Sequence, residues 1–225
     1  MSLAILVPVL NRPHRVKPLL DSIEASTPSS DIWFLVDADD HEQSSVVQRE
    51  AALRLGLLVQ IDRNGGTFAE KVNRGVELTD ADLVFLGADD LDFKPGWFEA
   101  AGAAMDSGAE VVGVNDLLRR RPHRRQHATH FLMTREYAQQ PCLDGGRGPC
   151  SEAYAHNFVD DELIATATAR GVYAYAPDSH VEHRHWMNQG AEMDATYEKG
   201  RSSFEADRQI FEERQALWAS TPLSA

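Results

Sequence analysis

Short apolar runs alternate with stretches whose apolar positions recur every three or four residues through the first half of the chain. The pattern predicts strands at Ala4–Val9, Ile32–Val36, Leu57–Ile61, Leu83–Leu86 and Val111–Val114. Helices are predicted between them, at Val16–Ala25 with Leu19, Leu20 and Ile23 on one face, then at Ser45–Leu55, Phe68–Leu78 and Trp97–Ser107. Strands separated by single helices imply an α/β domain, a mostly parallel sheet with helices on both faces. The second half is less regular. Phe131–Met133 and Tyr173–Ala176 read as strands, and Asp160–Arg170 as a helix ended by Gly171. RRRPHRRQHATH (119–130) and QQPCLDGGRGPC have loop character.

Near the end, Ser202-Ser203-Phe204-Glu205 fits a capping box opening a helix striped with Phe204, Ile210, Phe211, Leu217 and Trp218. That stripe packs on its own domain or builds a homodimer, and both readings stay open. The expected organisation is one domain over 1–190 with a helical extension over 191–225.

Composition narrows the class. Hydrophobic residues at 43% and charged residues at 25% of 225 are ordinary for a globular protein. A formal charge of −13 argues against nucleic acid as a partner, because phosphates are repelled over most of such a surface. The two cysteines, Cys142 and Cys150, share one loop and are expected to be reduced. No run approaches the roughly twenty apolar residues that span a bilayer, so a cytoplasmic protein is expected.

The polar residues that carry chemistry gather where the strands end. Asn11-Arg12 follows the first strand, Asp37-Ala38-Asp39-Asp40 the second and Asp89-Asp90 the fourth. Ligands on parallel sheets bind beyond the carboxyl ends of the strands, so three clusters on one edge point to a site. LVFLGADDLDF (83–93) ends a buried-looking strand on three carboxylates. Either they cap the next helix and face water, or a cation sits among them. Asp160, Asp161 and Glu162 open a helix, where the macrodipole favours negative charge, or one of them serves as a general base. His180, His183 and His185 are surface histidines, a metal site, or the source of one metal ligand.

The stretches VPVLNRPHRVKPLLDSI, FLVDADD, NGGTFAEKVNRGVE, DADLVFLGADD and VDDELIATATARGVYAYAPDSHVEH, in that order, resemble the family 2 glycosyltransferases over about residues 3–186. The resemblance implies the GT-A fold, an inverting transfer from a nucleotide-diphosphate sugar (UDP favoured over GDP) to a glycan, protein or small-molecule hydroxyl, and assistance by Mn2+ or Mg2+. It places Pro8, Asn11, Arg12, Asp37, Asp39, Asn73, Asp90 and Asp160 beside the nucleotide sugar. Asp161 matches the catalytic base, and Asp89 and His183 match the metal ligands. Two positions depart from the pattern: Gly87 stands where the DxD motif has its first acid, and Asp160 where a Glu is usual. Gly87 keeps open an inactive relative that binds a nucleotide sugar or glycan. A nucleotidyltransferase is disfavoured, because NRPHRVK after the first strand has no glycine.

Overall fold

A computed structural model describes residues 1–54, 56–118, 126–186 and 193–219. The basic run Arg119–Arg125 lies outside the described residues. The strands are β1 Leu3–Pro8, β2 Asp31–Leu35, β3 Leu58–Asp62, β4 Leu83–Leu86, β5 Leu91–Phe93, β6 Val111–Asn115, β7 Phe131–Thr134 and β8 Tyr173–His183. The helices are α1 Pro13–Ser26, α2 His41–Ala52, α3 Phe68–Leu78, α4 Trp97–Asp106, α5 Arg135–Ala138, α6 Val159–Ala169 and α7 Ala195–Ala219.

Among the described residues the strands form one sheet in the order β3-β2-β1-β4-β7-β6-β8-β5. The β3-β2-β1-β4 half is parallel, as the alternation of strands and helices predicts. In the other half β7 runs antiparallel to both β4 and β6, and β5 antiparallel to β8. β1 lies at the centre of the parallel half, and its residues from Leu3 to Val7 are buried. Successive side chains of a strand point to opposite faces. Accordingly Leu3, Ile5 and Val7 join a core layer with α1 and α4, where Phe85 packs edge to face on Phe93 and Trp97 and those two rings tilt against each other, with centroids 5.0–5.3 Å apart. Leu6 joins the opposite layer with α3 and α6.

Two expectations need correction. The strand predicted to end at Ala176 continues to His183 past an irregularity at Pro177. Tyr173–Ala176 pairs with β6, the register then shifts so that His180 meets Asn115 of the same strand, and Val181–His183 pairs with β5 on the other side. Proline cannot donate to a ladder, which is why the regular pairing is interrupted there and resumes out of register. The capping box at Ser202–Glu205 does not form, since α7 already began at Ala195. Within the helix the Ser202 and Ser203 hydroxyls donate to Lys199 O (2.7 Å) and Gly200 O (3.1 Å). The real cap of α7 is Asp194, whose Oδ1 accepts the Tyr197 N–H at 3.0 Å. A capping box does open α3: Glu70 N donates to Thr67 Oγ1 (3.3 Å) and Thr67 N to Glu70 Oε2 (2.7 Å).

Candidate active site

The carboxyl ends of β1, β2 and β4, the first turns of α3 and α6, the end of β8 and one side of α7 enclose a cleft of about 710 Å³. The volume lies within the range of ligand sites, at the sheet edge where α/β folds place them. Of the residues singled out in the sequence, Pro8, Arg12, Asp37, Asp89, Asp90, Asp160, Asp161 and His183 line it.

At its floor the cation asked for by the acid cluster is Arg12. Its Nη1 donates to Asp89 Oδ1 (3.1 Å) and Asp90 Oδ2 (3.4 Å), while Nε and Nη2 grip both oxygens of Asp194 at 2.8 and 2.9 Å. The guanidinium also lies 4.0 Å from the centroid of the Tyr197 ring. Asp90 in addition accepts the Tyr197 hydroxyl at 2.6 Å and faces His183 Nε2 at 3.2 Å. The two carboxylates are pushed apart in acidity. Burial, and then the charge of Asp90, push Asp89 up to about 7. Burial opposes ionisation of Asp90 as well, but is outweighed by His183, the Tyr197 hydroxyl and Arg12, which hold it far below the usual carboxylate range. Asp92, the third acid of the stretch, turns away to pair with Lys94 (3.0 Å) and Arg184.

Histidines wall the same floor. His130 packs against His183 and His183 against His185, with centroids 4.9 and 5.0 Å apart. His130 Nδ1 lies 3.2 Å from Leu86 O, which can only accept, so the ring proton sits on Nδ1. Burial above all, and then the charge of His183, lower His130 to about 3 and His185 to about 4, leaving both neutral. His180 is exposed on β8, away from this group.

On the β2 side, Lys71 Nζ bridges Asp37 Oδ1 (2.6 Å) and Val9 O (2.9 Å). Across the cleft α6 presents Asp160 and Asp161 from its first turn, and His127 Nε2 meets them at 3.7 and 3.1 Å. The ligand atoms of these three residues lie within 4.8 Å of one another. Glu162 faces the other way, accepting from Tyr154 Oη (2.5 Å) and from Nη2 and Nε along one edge of the Arg214 guanidinium (2.7 and 2.8 Å).

Three of the sequence-selected residues are not brought to the cleft. The buried Asn73 carboxamide is engaged with Arg147 O, Cys150 O and Cys150 N at 2.8–3.1 Å, tying α3 to the 142–150 loop. Asn11, at φ 53°, turns the chain between β1 and α1, its N–H donating to Asp40. Asp39 is exposed, and its carbonyl accepts the His41 N–H at 2.9 Å where α2 begins. Conversely, Tyr197, Asp194 and His127 reach the site or brace it without any signal in their own sequence neighbourhoods. Only the uncompensated acids at 89 and 90 hinted that distant partners must exist.

For a divalent metal, the donor types at the floor are suitable, although among the described residues only His127, Asp160 and Asp161 bring three such atoms within 4.8 Å of one another. Asp89 and Asp90 offer hard oxygens, His183 an imidazole nitrogen, and the acids already hold a cation in Arg12. Gly87 adds no donor: a Cβ there would lie 2.9 Å from Leu6 O, so β1 passes too close for an acid at the first DxD position.

No family model and no curated protein matches the sequence. Among solved structures, the chain is similar to the mannosyltransferase PcManGT from Pyrobaculum calidifontis, in complex with GDP-Man and Mn2+ (TM-score 0.64, 14% identity, 98% of this chain and 73% of that one). It is similar to S. aureus TarS 1–349 in complex with UDP (TM-score 0.60, 14% identity, 80% of this chain), of which it spans only 59%. It is also similar to glucosyl-3-phosphoglycerate synthase from Mycobacterium tuberculosis, in complex with Mn2+, UDP and glucosyl-3-phosphoglycerate (TM-score 0.60, 14% identity, 90% of this chain and 77% of that one). The fold is therefore the GT-A fold that the sequence resemblance implied.

Proposed function

We propose that the protein is an inverting glycosyltransferase of the family 2 type, moving a sugar from a nucleoside-diphosphate sugar to an acceptor hydroxyl. The observation that carries this reading is the convergence on one cleft of Asp161 from α6 with the Arg12–Asp89–Asp90 cluster from the ends of β1 and β4. The nucleotide-sugar transferases that share the fold support it.

Asp161 takes the proton of the acceptor hydroxyl as that oxygen attacks C1 of the donor sugar. The new C1–O bond forms on the face opposite the one being broken, and the nucleoside diphosphate leaves with the electron pair. Base assistance of this kind is worth on the order of 10²–10⁴ in rate. In this reading Asp37, held by Lys71, accepts a hydrogen bond from the base of the nucleotide. Arg12, already shared among Asp89, Asp90 and Asp194, offers part of its charge to a diphosphate bound at the acid pair. Mn2+ or Mg2+, held by Asp89 and His183, would supply further neutralisation of the leaving group. Asp90 keeps His183 in place through the 3.2 Å contact to Nε2.

The test is nucleoside diphosphate release from a panel of UDP- and GDP-sugars with Mn2+, with candidate acceptors and with water alone. Asp161→Asn is expected to lower turnover at least 10²-fold while donor affinity, measured by calorimetry with UDP and GDP, stays unchanged. Turnover retained in that variant contradicts the base assignment. Donor binding without turnover in the parent protein, whatever the acceptor, supports an inactive binding protein instead.

A further inference from the structure

Beside the proposed base lies a residue that neither strand-end patterning nor family resemblance selects. His127 lines the cleft, its side chain is 11% exposed, and its Nε2 stands 3.1 Å from Asp161 Oδ1 against 3.7 Å from Asp160 Oδ2. Only the first distance is a hydrogen bond. An ionised carboxylate has no proton to give, so the imidazole must be the donor. The other ring nitrogen settles where the proton sits: Nδ1 is buried and, among the described residues, has no hydrogen-bond partner. A buried N–H without an acceptor is costly, so of the two tautomers the one with its proton on Nε2, directed at Asp161, is favoured.

The mounting of His127 is independent of the helix it touches. Gln126 O accepts the Tyr173 hydroxyl at 3.1 Å, Ala128 is fully buried, and the Thr129 hydroxyl donates to Asp116 at 2.8 Å. His130 donates to the end of β4. The 126–130 strap is thus pinned to β4, β8 and the segment after β6, whereas Asp161 rides on α6.

We propose that His127 is a positioning residue for Asp161: the N–H from a separately anchored strap fixes one carboxylate oxygen and sets the direction in which the base faces the acceptor. The proposal rests on the reading of Asp161 as the base. Asp161 stands in the first turn of α6 beside the like charge of Asp160, and the His127 N–H favours the rotamer that points Oδ1 at the strap. Small misplacements of a reacting group cost up to about 10²-fold in rate.

The experiment measures donor turnover, with water or a hydroxyl acceptor, for His127→Ala, His127→Gln and Asp161→Asn, using whichever of UDP-glucose, UDP-GlcNAc or GDP-mannose is consumed. His127→Ala is expected to lower kcat roughly 10- to 100-fold with donor KM and UDP or GDP affinity unchanged. His127→Gln, which keeps an N–H near the Nε2 position, is expected to recover most of that loss. Added imidazole is expected to restore part of it in the Ala variant. An Asp161→Asn variant with parental turnover would sink the base reading itself. If Asp161→Asn is inactive, three results overturn the positioning role alone. They are parental kcat in His127→Ala, Gln no better than Ala, and loss of the Mn2+ EPR binding signal in His127→Ala, which would place the residue in a cation site.

Discussion

Gly87 sits at the end of β4 with its N–H donating to Leu6 O at 2.9 Å, and an added Cβ would meet that same oxygen at 2.9 Å. The side chain is therefore excluded by the hydrogen bond that seats β4 against β1. Gly87→Asp, which writes the missing acid back into the motif, is expected to destabilise the protein by about 1–3 kcal/mol rather than strengthen metal binding. Urea denaturation and Mn2+ titration check the two halves of that statement, and a stable variant with tighter Mn2+ binding would contradict it. Arg12 belongs to the same scale. A guanidinium carries its charge at every accessible pH, so the acid pair keeps a counter-ion whatever the metal supply.

Elements explain which parts of the molecule could be read in advance. The Thr67–Glu70 capping box closes the first turn of α3 where Gly66, Thr67 and Phe68 border the cleft. Thr67→Ala is expected to cost about 1 kcal/mol, seen as a lowered thermal midpoint, and to weaken UDP or GDP binding measured by calorimetry. An unchanged midpoint would mean that the turn is held by other contacts. The parallel half of the sheet was legible because β1 and β4 are buried on both faces and read as apolar runs, and the half-buried β2 and β3 still carry short apolar stretches between helices. β5 was not, being three residues long with a charged centre at Asp92. β8 was half legible, since periodicity stops at Pro177 while the chain keeps pairing beyond it. α7 was misplaced because Ser202 and Ser203 resemble a cap, whereas Asp194 carries the cap and holds Arg12 as well. The site followed the same rule. Strand-end acids announce themselves, but Tyr197 and His127 come from segments whose local pattern has no reason to mark them.

At the scale of the whole molecule, the buried titratable groups make stability depend on pH with a definite sign. His130 and His185 stay neutral in the folded protein down to about 3 and about 4, while the unfolded chain protonates both below its ordinary 6.5. Their contribution is complete above 6.5 and is lost as pH falls. Asp89 works oppositely: the folded protein holds its proton up to about 7, the unfolded chain only to about 3.8, so its contribution fades as pH rises through that interval. Between pH 5 and 6 the unfolded state therefore binds two protons on these histidines, and part of a third on His156, which burial also lowers, against one on Asp89 in the folded state. Stability is expected to rise with pH there by the order of 1 kcal/mol per unit. Urea titrations at pH 5.0, 5.5 and 6.0 measure the slope, and a negative slope would show that Asp89 outweighs the histidines.

The grip of Arg12 on Asp194 joins residues 182 positions apart. During synthesis β1 and β4 emerge early, and with them two carboxylates whose second layer of support, Asp194 and Tyr197, does not yet exist. Docking of α7 is accordingly a late event, reached only after loop closure across most of the chain. A ribosome-bound intermediate halted before residue 194 would carry the sheet without Asp194 and Tyr197, and so without a finished cleft floor.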